Sequence, residues 1–314
     1  MINLSAKNMK GVFQVNNTIE IKNLNKFYGK KQALCDVTLS IEQGMFGLLG
    51  RNGAGKTTLM RTLATLLPKR SGTVSICGIP IEKDQEVRKI TGYLPQDFSM
   101  YPSMNVMEAM DYLALLSGLE KSARKERIEL LLQKVNLTEH CKKKVKALSG
   151  GMKRRLGIAQ ALLNNPKVLI VDEPTAGLDP EERIRFRNLL SEVAEKRTVI
   201  LSTHIAGDIE ATCENLAILD SGRVLYQGTV NRLLAEADGS VYTIIADRAE
   251  LPSLKKDLLI TSMHTQGRNV SIRFLSENAV PNAHACAPNI EDAYMYYLKK
   301  SGVEQEVREH AVLA

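Results

Sequence analysis

Nine consecutive residues limit what this chain can fold into: Gly50-Arg51-Asn52-Gly53-Ala54-Gly55-Lys56-Thr57-Thr58. They fit the pattern G-x-x-x-x-G-K-[ST]. They also follow an apolar, strand-like run, Met45 to Leu49, and open a helical stretch that lasts until Pro68. Glycines let the backbone curl so that successive N–H groups converge, and the start of the helix adds partial positive charge. Such a segment is suited to holding phosphate oxygens. Lys56 supplies a cation for β- and γ-phosphates, and Thr57 offers a hydroxyl to Mg²⁺. The overlapping Gly53-x-Gly55 lacks the third glycine of a dinucleotide fingerprint, which argues against that alternative.

A phosphate loop needs an acid at the end of a neighbouring strand. Val168-Leu169-Ile170-Val171-Asp172-Glu173 places Asp172 where an apolar parallel strand would emerge at its C-terminal edge, the ligand-binding edge of open α/β sheets. Asp172 can hold Mg²⁺ through water, and Glu173 can orient or deprotonate an attacking water. Around this pair, β-rich runs (Thr18 to Leu24, Val37 to Ile41, Thr73 to Ile76, Ile90 to Leu94, Thr198 to Leu201) alternate with helical stretches. The pattern is helical from Val106 to Val135, with Ile128, Leu131, Leu132 and Val135 on one face; Phe186, Leu189, Leu190 and Val193 form a second stripe. The alternation predicts an α/β domain around a mostly parallel sheet.

A polar, glycine-containing patch at Ala237–Gly239 ends the alternation. The tail holds two strand-like runs, Val241 to Ile245 and Asn269 to Phe274. A final helix follows, with Ile290, Ala293, Tyr294, Tyr297 and Leu298 on one face, so the tail reads as a small α+β appendage. The expected division is an extension at 1–17, a nucleotide domain at 18–237 and an accessory domain at 238–314. Residues 1–237 carry 34 basic and 25 acidic side chains, net +9, whereas 238–314 carry 8 and 10, net −2. Five scattered cysteines with no C-x-x-C predict reduced thiols rather than a metal knuckle or a disulfide framework. No uncharged apolar run approaches the ~18–20 residues of a membrane span. Aromatics are 5% of the chain with no Trp, which argues against a stacking platform for single-stranded nucleic acid.

Further motifs narrow which kind of phosphate-loop protein the pattern describes. Leu148-Ser149-Gly150-Gly151-Met152-Lys153-Arg154-Arg155 opens a helix just before the Asp172 strand. A serine and two glycines there form an anion site, and equally a serine cap with a tight turn. Gln96 follows Gly92-Tyr93-Leu94-Pro95, Ala176-Gly177-Leu178-Asp179 follows the acids, and Ser202-Thr203-His204 ends a strand. In this chain order the sequence resembles the ATP-binding subunit of ABC transporters. The resemblance implies a P-loop NTPase of ABC type, with a mostly parallel core sheet, an antiparallel β subdomain and a helical subdomain at about 97–165. It implies ATP and Mg²⁺ as ligands, with Tyr28 stacking on adenine and Gly50–Thr58 cradling the phosphates. Gln96 would link Mg²⁺ and the attacking water to a transmembrane partner. Ser149, Gly150 and Gly151 would contact the γ-phosphate of ATP on the opposite subunit, Asp179 would sit in the dimer-contact loop, and His204 would hold the γ-phosphate.

The catalytic set on this reading is Glu173, His204, Lys56 and Gln96, with Thr57, Gln96 and Asp172 around the metal. Met152 stands where the commonest signature has Gln, and this LSGGM form, followed by Lys-Arg-Arg, resembles bacterial drug-, antibiotic- and lipid-export ATPases. The expected partners are a separate transmembrane permease and a second nucleotide subunit, as homodimer or heterodimer, with no nucleic acid. The expected location is the cytoplasmic face of the cell membrane. The alternative is an ABC ATPase working on ribosomes or DNA. A single GK[ST] loop and only 52 residues between Gln96 and Ser149, too few for a long coiled coil, weigh against it. A GTPase is disfavoured because no Asn-Lys-x-Asp motif occurs. Between His140 and Val171 lie eight basic residues and no acidic one, so the chain's positive excess surrounds the signature.

Overall fold

The computed structural model describes residues 18–302; the expected extension at 1–17 and the end of the tail, 303–314, lie outside them. The hairpin β1 (Ile19–Tyr28) and β2 (Lys31–Ile41) leads to β3 (Gly44–Leu49), the glycine loop and α1 (Lys56–Leu63). Then come β4 (Ser71–Ile76), β5 (Ile79–Pro80), α2 (Asp84–Ile90) and β6 (Thr91–Leu94). A helical layer follows, α3 (Val106–Leu116), α4 (Lys121–Lys134) and α5 (Gly150–Ala161). The chain re-enters the sheet with β7 (Val168–Asp172), α6 (Pro180–Ala194), β8 (Thr198–Thr203), α7 (Ala206–Thr212), β9 (Asn215–Asp220), β10 (Arg223–Thr229) and α8 (Val230–Ala237). The appendage comprises β11 (Val241–Asp247), α9 (Leu251–Asp257), β12 (Leu259–Gln266), β13 (Asn269–Leu275), β14 (His284–Ala285) and α10 (Ile290–Lys300).

The central sheet has the order β10-β9-β3-β8-β7-β6 and is parallel except for β10. Every residue of β7 and β8 is buried, as expected of parallel strands covered on both faces. Register aligns their C-terminal ends: Leu49 pairs with Thr203, Asp172 with Ser202 and Leu94 with Val171. The loops bearing Gly50, Glu173, His204 and Gln96 therefore leave the sheet along one edge. One apolar core lies between this sheet, α1 and the antiparallel sheet β2-β1-β4-β5; a larger one joins its other face to α3–α7.

The helical run expected over 106–135 is two helices. Gly118 takes φ +77° after α3, a left-handed conformation in which glycine commonly ends a helix. α3 opens with a capping box between Asn105 and Glu108. In the appendage the sequence reading missed α9, β12 and the short β14. β12 forms the edge of the sheet β12-β13-β11-β14 and has no fully buried residue, so no apolar alternation marks it. The five cysteines are free thiols, and burial pushes that of Cys213 up to about 12. Among the described residues no helix is long and apolar enough to cross a membrane.

The last helix returns to the nucleotide domain. Ile290 and Ala293 are fully buried in the larger core, Tyr297 stacks edge-on against Tyr226 at 5.0 Å, and its hydroxyl donates to Glu236. On the other side of α10, the buried Asp292 accepts from Arg273 Nε at 2.7 Å and Thr261 Oγ1 at 2.5 Å, joining the helix to the appendage sheet. Asp292→Ala should therefore cost roughly 3 kcal/mol, because Arg273 loses its countercharge and the Asn289 N–H loses the Asp292 carboxylate that completes the capping box of α10. Urea denaturation of the variant against the parent measures this.

Candidate active site

The glycine loop keeps its shape because side chains are excluded from it. A Cβ on Gly50 would lie 2.3 Å from the carbonyl oxygen of Leu219, and Gly55, at φ +107°, would bring one within 2.8 Å of that of Ala33. α1 then begins with no side-chain cap and no acid in its first turn, which leaves its N-terminal N–H groups for an anion. Lys56 folds back over the loop, donating to the carbonyls of Gly50 at 2.5 Å and Arg51 at 3.1 Å. Its ammonium also stands 3.0 Å from Glu173 Oε1, with both side chains about 5% exposed or less.

Glu173 is held in the left-handed region at φ 48°. Its N–H donates to the Ser202 carbonyl at 3.1 Å and to Ser202 Oγ at 3.2 Å. Strained backbone of this kind collects at functional sites and persists where neighbours over-determine it. The second carboxylate oxygen, Oε2, lies 2.6 Å from Nδ1 of His204. Ser202 Oγ donates to Asp172 Oδ1 at 2.5 Å, so one serine serves both acids. Burial pushes the Asp172 carboxyl above its ordinary range. The Ser202 hydrogen bond, the neighbouring Thr57 hydroxyl and Lys56 pull it back, and Glu173 adds a smaller upward push. Asp172 Oδ2 is buried and has no hydrogen-bond partner. An orphaned carboxylate oxygen beside a threonine hydroxyl at a phosphate loop fits a hard divalent cation such as Mg²⁺.

Lys56 and Glu173 open onto a cleft of about 740 Å³, while Gly50, Asp172 and His204 stand behind its wall and are not part of the lining. Tyr28, Arg51, Asn52, Gly53, Gly55, Lys56, Thr57, Thr58, Gln96 and Glu173 line it, together with Gln32 and the turn Ser221–Gly222. Ala54 is buried beneath the loop, and Gly222 donates to its carbonyl at 2.9 Å. Tyr28 is 48% exposed at the rim, with Lys26 Nζ 5.6 Å from its ring centre.

Ser149, Gly150, Gly151 and Asp179 are not among the lining residues. Ser149 caps α5 by accepting from the Met152 N–H at 3.2 Å, and Asp179 caps α6 by accepting from the Glu182 N–H at 2.8 Å. Glu182, which the sequence reading did not single out, fixes the signature helix to α6 through an ion pair with the buried Arg155 at 3.2 Å. It also leaves no room for a Cβ on Gly151. Arg154 donates instead to the backbone carbonyls of Pro95 and Gln96. Arg51 pairs with the buried Asp220 at 3.0 Å, a second contact that no sequence pattern marked.

Fold and site together are those of a phosphate-loop nucleotide hydrolase. A family profile described as ABC transporter matches residues 34–176. Nod factor export ATP-binding protein I of Cupriavidus metallidurans is 34% identical over 84% of this chain and 88% of its own length. Linearmycin resistance ATP-binding protein LnrL of Bacillus subtilis is 35% identical over 70% of this chain and 72% of its own. Among solved structures, cbiO1 from Clostridium perfringens, part of the ABC transporter complex cbiONQ, superposes with a TM-score of 0.64 at 29% identity. That match covers 69% of this chain and 90% of cbiO1. A dimeric post-hydrolysis structure of the ATP-binding cassette MJ0796 bound to ADP and Pi gives a TM-score of 0.61 at 25% identity, over 67% and 98%. The chain belongs to the ABC transporter family of ATP-binding proteins, which bind and hydrolyse ATP.

Because Ser202 orients Asp172, Ser202→Ala should raise the Mg²⁺ concentration for half-maximal ATP hydrolysis about tenfold, read from a Mg²⁺ titration. Lys56→Ala should abolish binding of a fluorescent ATP analogue, since it removes the buried cation at the glycine loop.

Proposed function

We propose that this chain is the ATP-hydrolysing subunit of an exporter, paired with a second nucleotide subunit and driving a separate transmembrane permease from the cytoplasmic face of the membrane. The observation that carries the reading is a division among the motif residues. Tyr28, Lys56, Thr57, Gln96 and Glu173 line one cleft, and Asp172 and His204 adjoin it through Ser202 and Glu173, whereas Ser149, Gly150, Gly151 and Asp179 lie off it at the starts of α5 and α6. In the proposed assembly that second set completes the cleft of an opposing subunit, so two nucleotides are enclosed between two copies. The names of the relatives, Nod factor export and linearmycin resistance, support export. The exposed Tyr101, Tyr112, Leu115 and Leu116 on the helical layer offer the permease an apolar docking surface.

Each residue then has a task. Tyr28 stacks on adenine, and the N–H groups of Gly50–Thr58 take the phosphates. Lys56, now paired with Glu173, turns to the β- and γ-phosphates as these replace its carboxylate partner. Thr57, Asp172 and Gln96 would hold Mg²⁺, which when bound neutralises developing charge on the phosphate oxygens. Glu173, released from Lys56, orients the attacking water and accepts its proton. His204 keeps Glu173 aligned through Nδ1 and reaches the γ-phosphate from the end of the neighbouring strand, β8. Ser149 and Gly151 of the opposite subunit present the α5 N-terminus to the γ-phosphate. Binding energy closes the pair, and loss of that phosphate reopens it.

Glu173→Gln keeps the shape of the site but removes the base. It should bind ATP normally and accumulate as a closed dimer on size-exclusion chromatography with ATP, and a mutant that stays monomeric would count against the sandwich. Co-purification with a polytopic membrane protein is expected, and sedimentation with ribosomes would favour the non-transport alternative.

A further inference from the structure

Two hydrogen bonds join the segments that leave β7 and β8. One is the Glu173–His204 contact at the cleft. The second lies behind it, where Thr175 Oγ1 donates to Asp208 Oδ2 at 2.5 Å. Thr175 is 1% exposed and Asp208 is fully buried. The other oxygen, Asp208 Oδ1, is buried without a hydrogen bond, and the Arg187 guanidinium stands 3.8 Å from it. Arg187 also donates to the Gly207 carbonyl at 3.3 Å.

A carboxylate this deep is retained only with compensation, so the identity of its partners is informative. Thr175 precedes Asp179 in the chain and Arg187 follows it on α6. Asp208 lies on α7, four residues after His204. One side chain thus connects the His204 segment to Thr175 within the loop that presents Asp179 and to Arg187 about two turns into the helix that follows it. α6 in turn carries Glu182, which holds Arg155 of the signature helix.

We propose that Asp208 is a positioning residue for hydrolysis. Through Thr175 and Arg187 it holds the loop from Glu173 to Asp179 in step with His204. Contact of an opposing subunit with Asp179 and Ser149 is thereby transmitted to the Glu173–His204 pair. The inference rests on the roles given above to Glu173, His204 and Asp179. Asp208 and Thr175 do not line the cleft, so the tether governs rate rather than nucleotide affinity. Small displacements of a catalytic group are enough for a large rate effect.

The test uses the full chain with Thr175→Val, which deletes one hydroxyl, Asp208→Asn, which deletes the charge, and Thr175→Ser, which keeps the donor. Steady-state ATP hydrolysis and equilibrium binding of a fluorescent ATP analogue are measured for each. The expected result is a kcat at least about tenfold lower for the first two, analogue Kd within about twofold of the parent, and near-parental kcat for Thr175→Ser. On a His204→Ala background, Thr175→Val should cause no further loss, because the tether acts through that pair. Parental kcat in Thr175→Val, a parallel fall in kcat and affinity, or full additivity with His204→Ala would overturn the inference. Should the buried-site variants fail to fold, Arg187→Gln breaks the other arm from a partly exposed position and is read in the same way. Glu173→Gln assayed alongside separates the two ideas. If it hydrolyses ATP at the parental rate, the assigned roles fail; if it is inactive while Thr175→Val is unimpaired, the tether alone fails.

Discussion

The buried ion pair between Lys56 and Glu173 joins the start of α1, which follows the loop after β3, to the end of β7, 117 positions apart in the chain. Neither charge could remain in so dry a place alone, since an uncompensated buried ion costs several kcal/mol. The pair therefore needs β3 and β7 to end at the same level, and the parallel register supplies that through β8 between them. Ser202 and His204, from the end of β8, complete the arrangement by holding Asp172 and Glu173. On the proposed function nucleotide phosphates compete with Glu173 for this lysine, so the ion pair is the contact that binding would exchange.

Around this centre, charged side chains act as cross-links between layers rather than as solvated surface. Arg155 and Glu182 fix the signature helix to α6, and Arg154 grips the backbone at Pro95 and Gln96. Thr175, Asp208 and Arg187 connect α6 and α7 beneath the cleft. These contacts are directional and buried, so displacement of one loop is felt by its neighbours. The appendage follows the same logic: α10 is tied to its own sheet by Asp292 and Arg273, and to the nucleotide domain by Tyr297 and Glu236.

Much of this was legible in the chain. The loop at Gly50–Thr58, the acids at Asp172 and Glu173 and the apolar runs that became β3, β7 and β8 are local patterns, each set by its own backbone chemistry. Helix stripes such as Ile128, Leu131, Leu132 and Val135 are buried as their spacing requires. β12 was not legible, because an edge strand lacks the alternation that marks a half-buried one. The break at Gly118 was obscured because good helix formers continue on both sides of it, Ala114 to Leu116 before and Glu120 to Arg127 after.

Sequence by itself determined a phosphate-binding strand–loop–helix, an acidic strand end and the order of motifs that marks an ABC ATPase, because each is encoded in a short stretch of residues. Only the tertiary structure decided which distant groups meet. Lys56 faces Glu173, Glu182 takes Arg155, Asp220 takes Arg51, and Asp208 binds Thr175 beside Arg187. It also set Ser149 and Asp179 apart from the cleft that Lys56 lines. The physical reason is that a buried charge selects its partner by strand register and helix packing, and neither is written in local spacing.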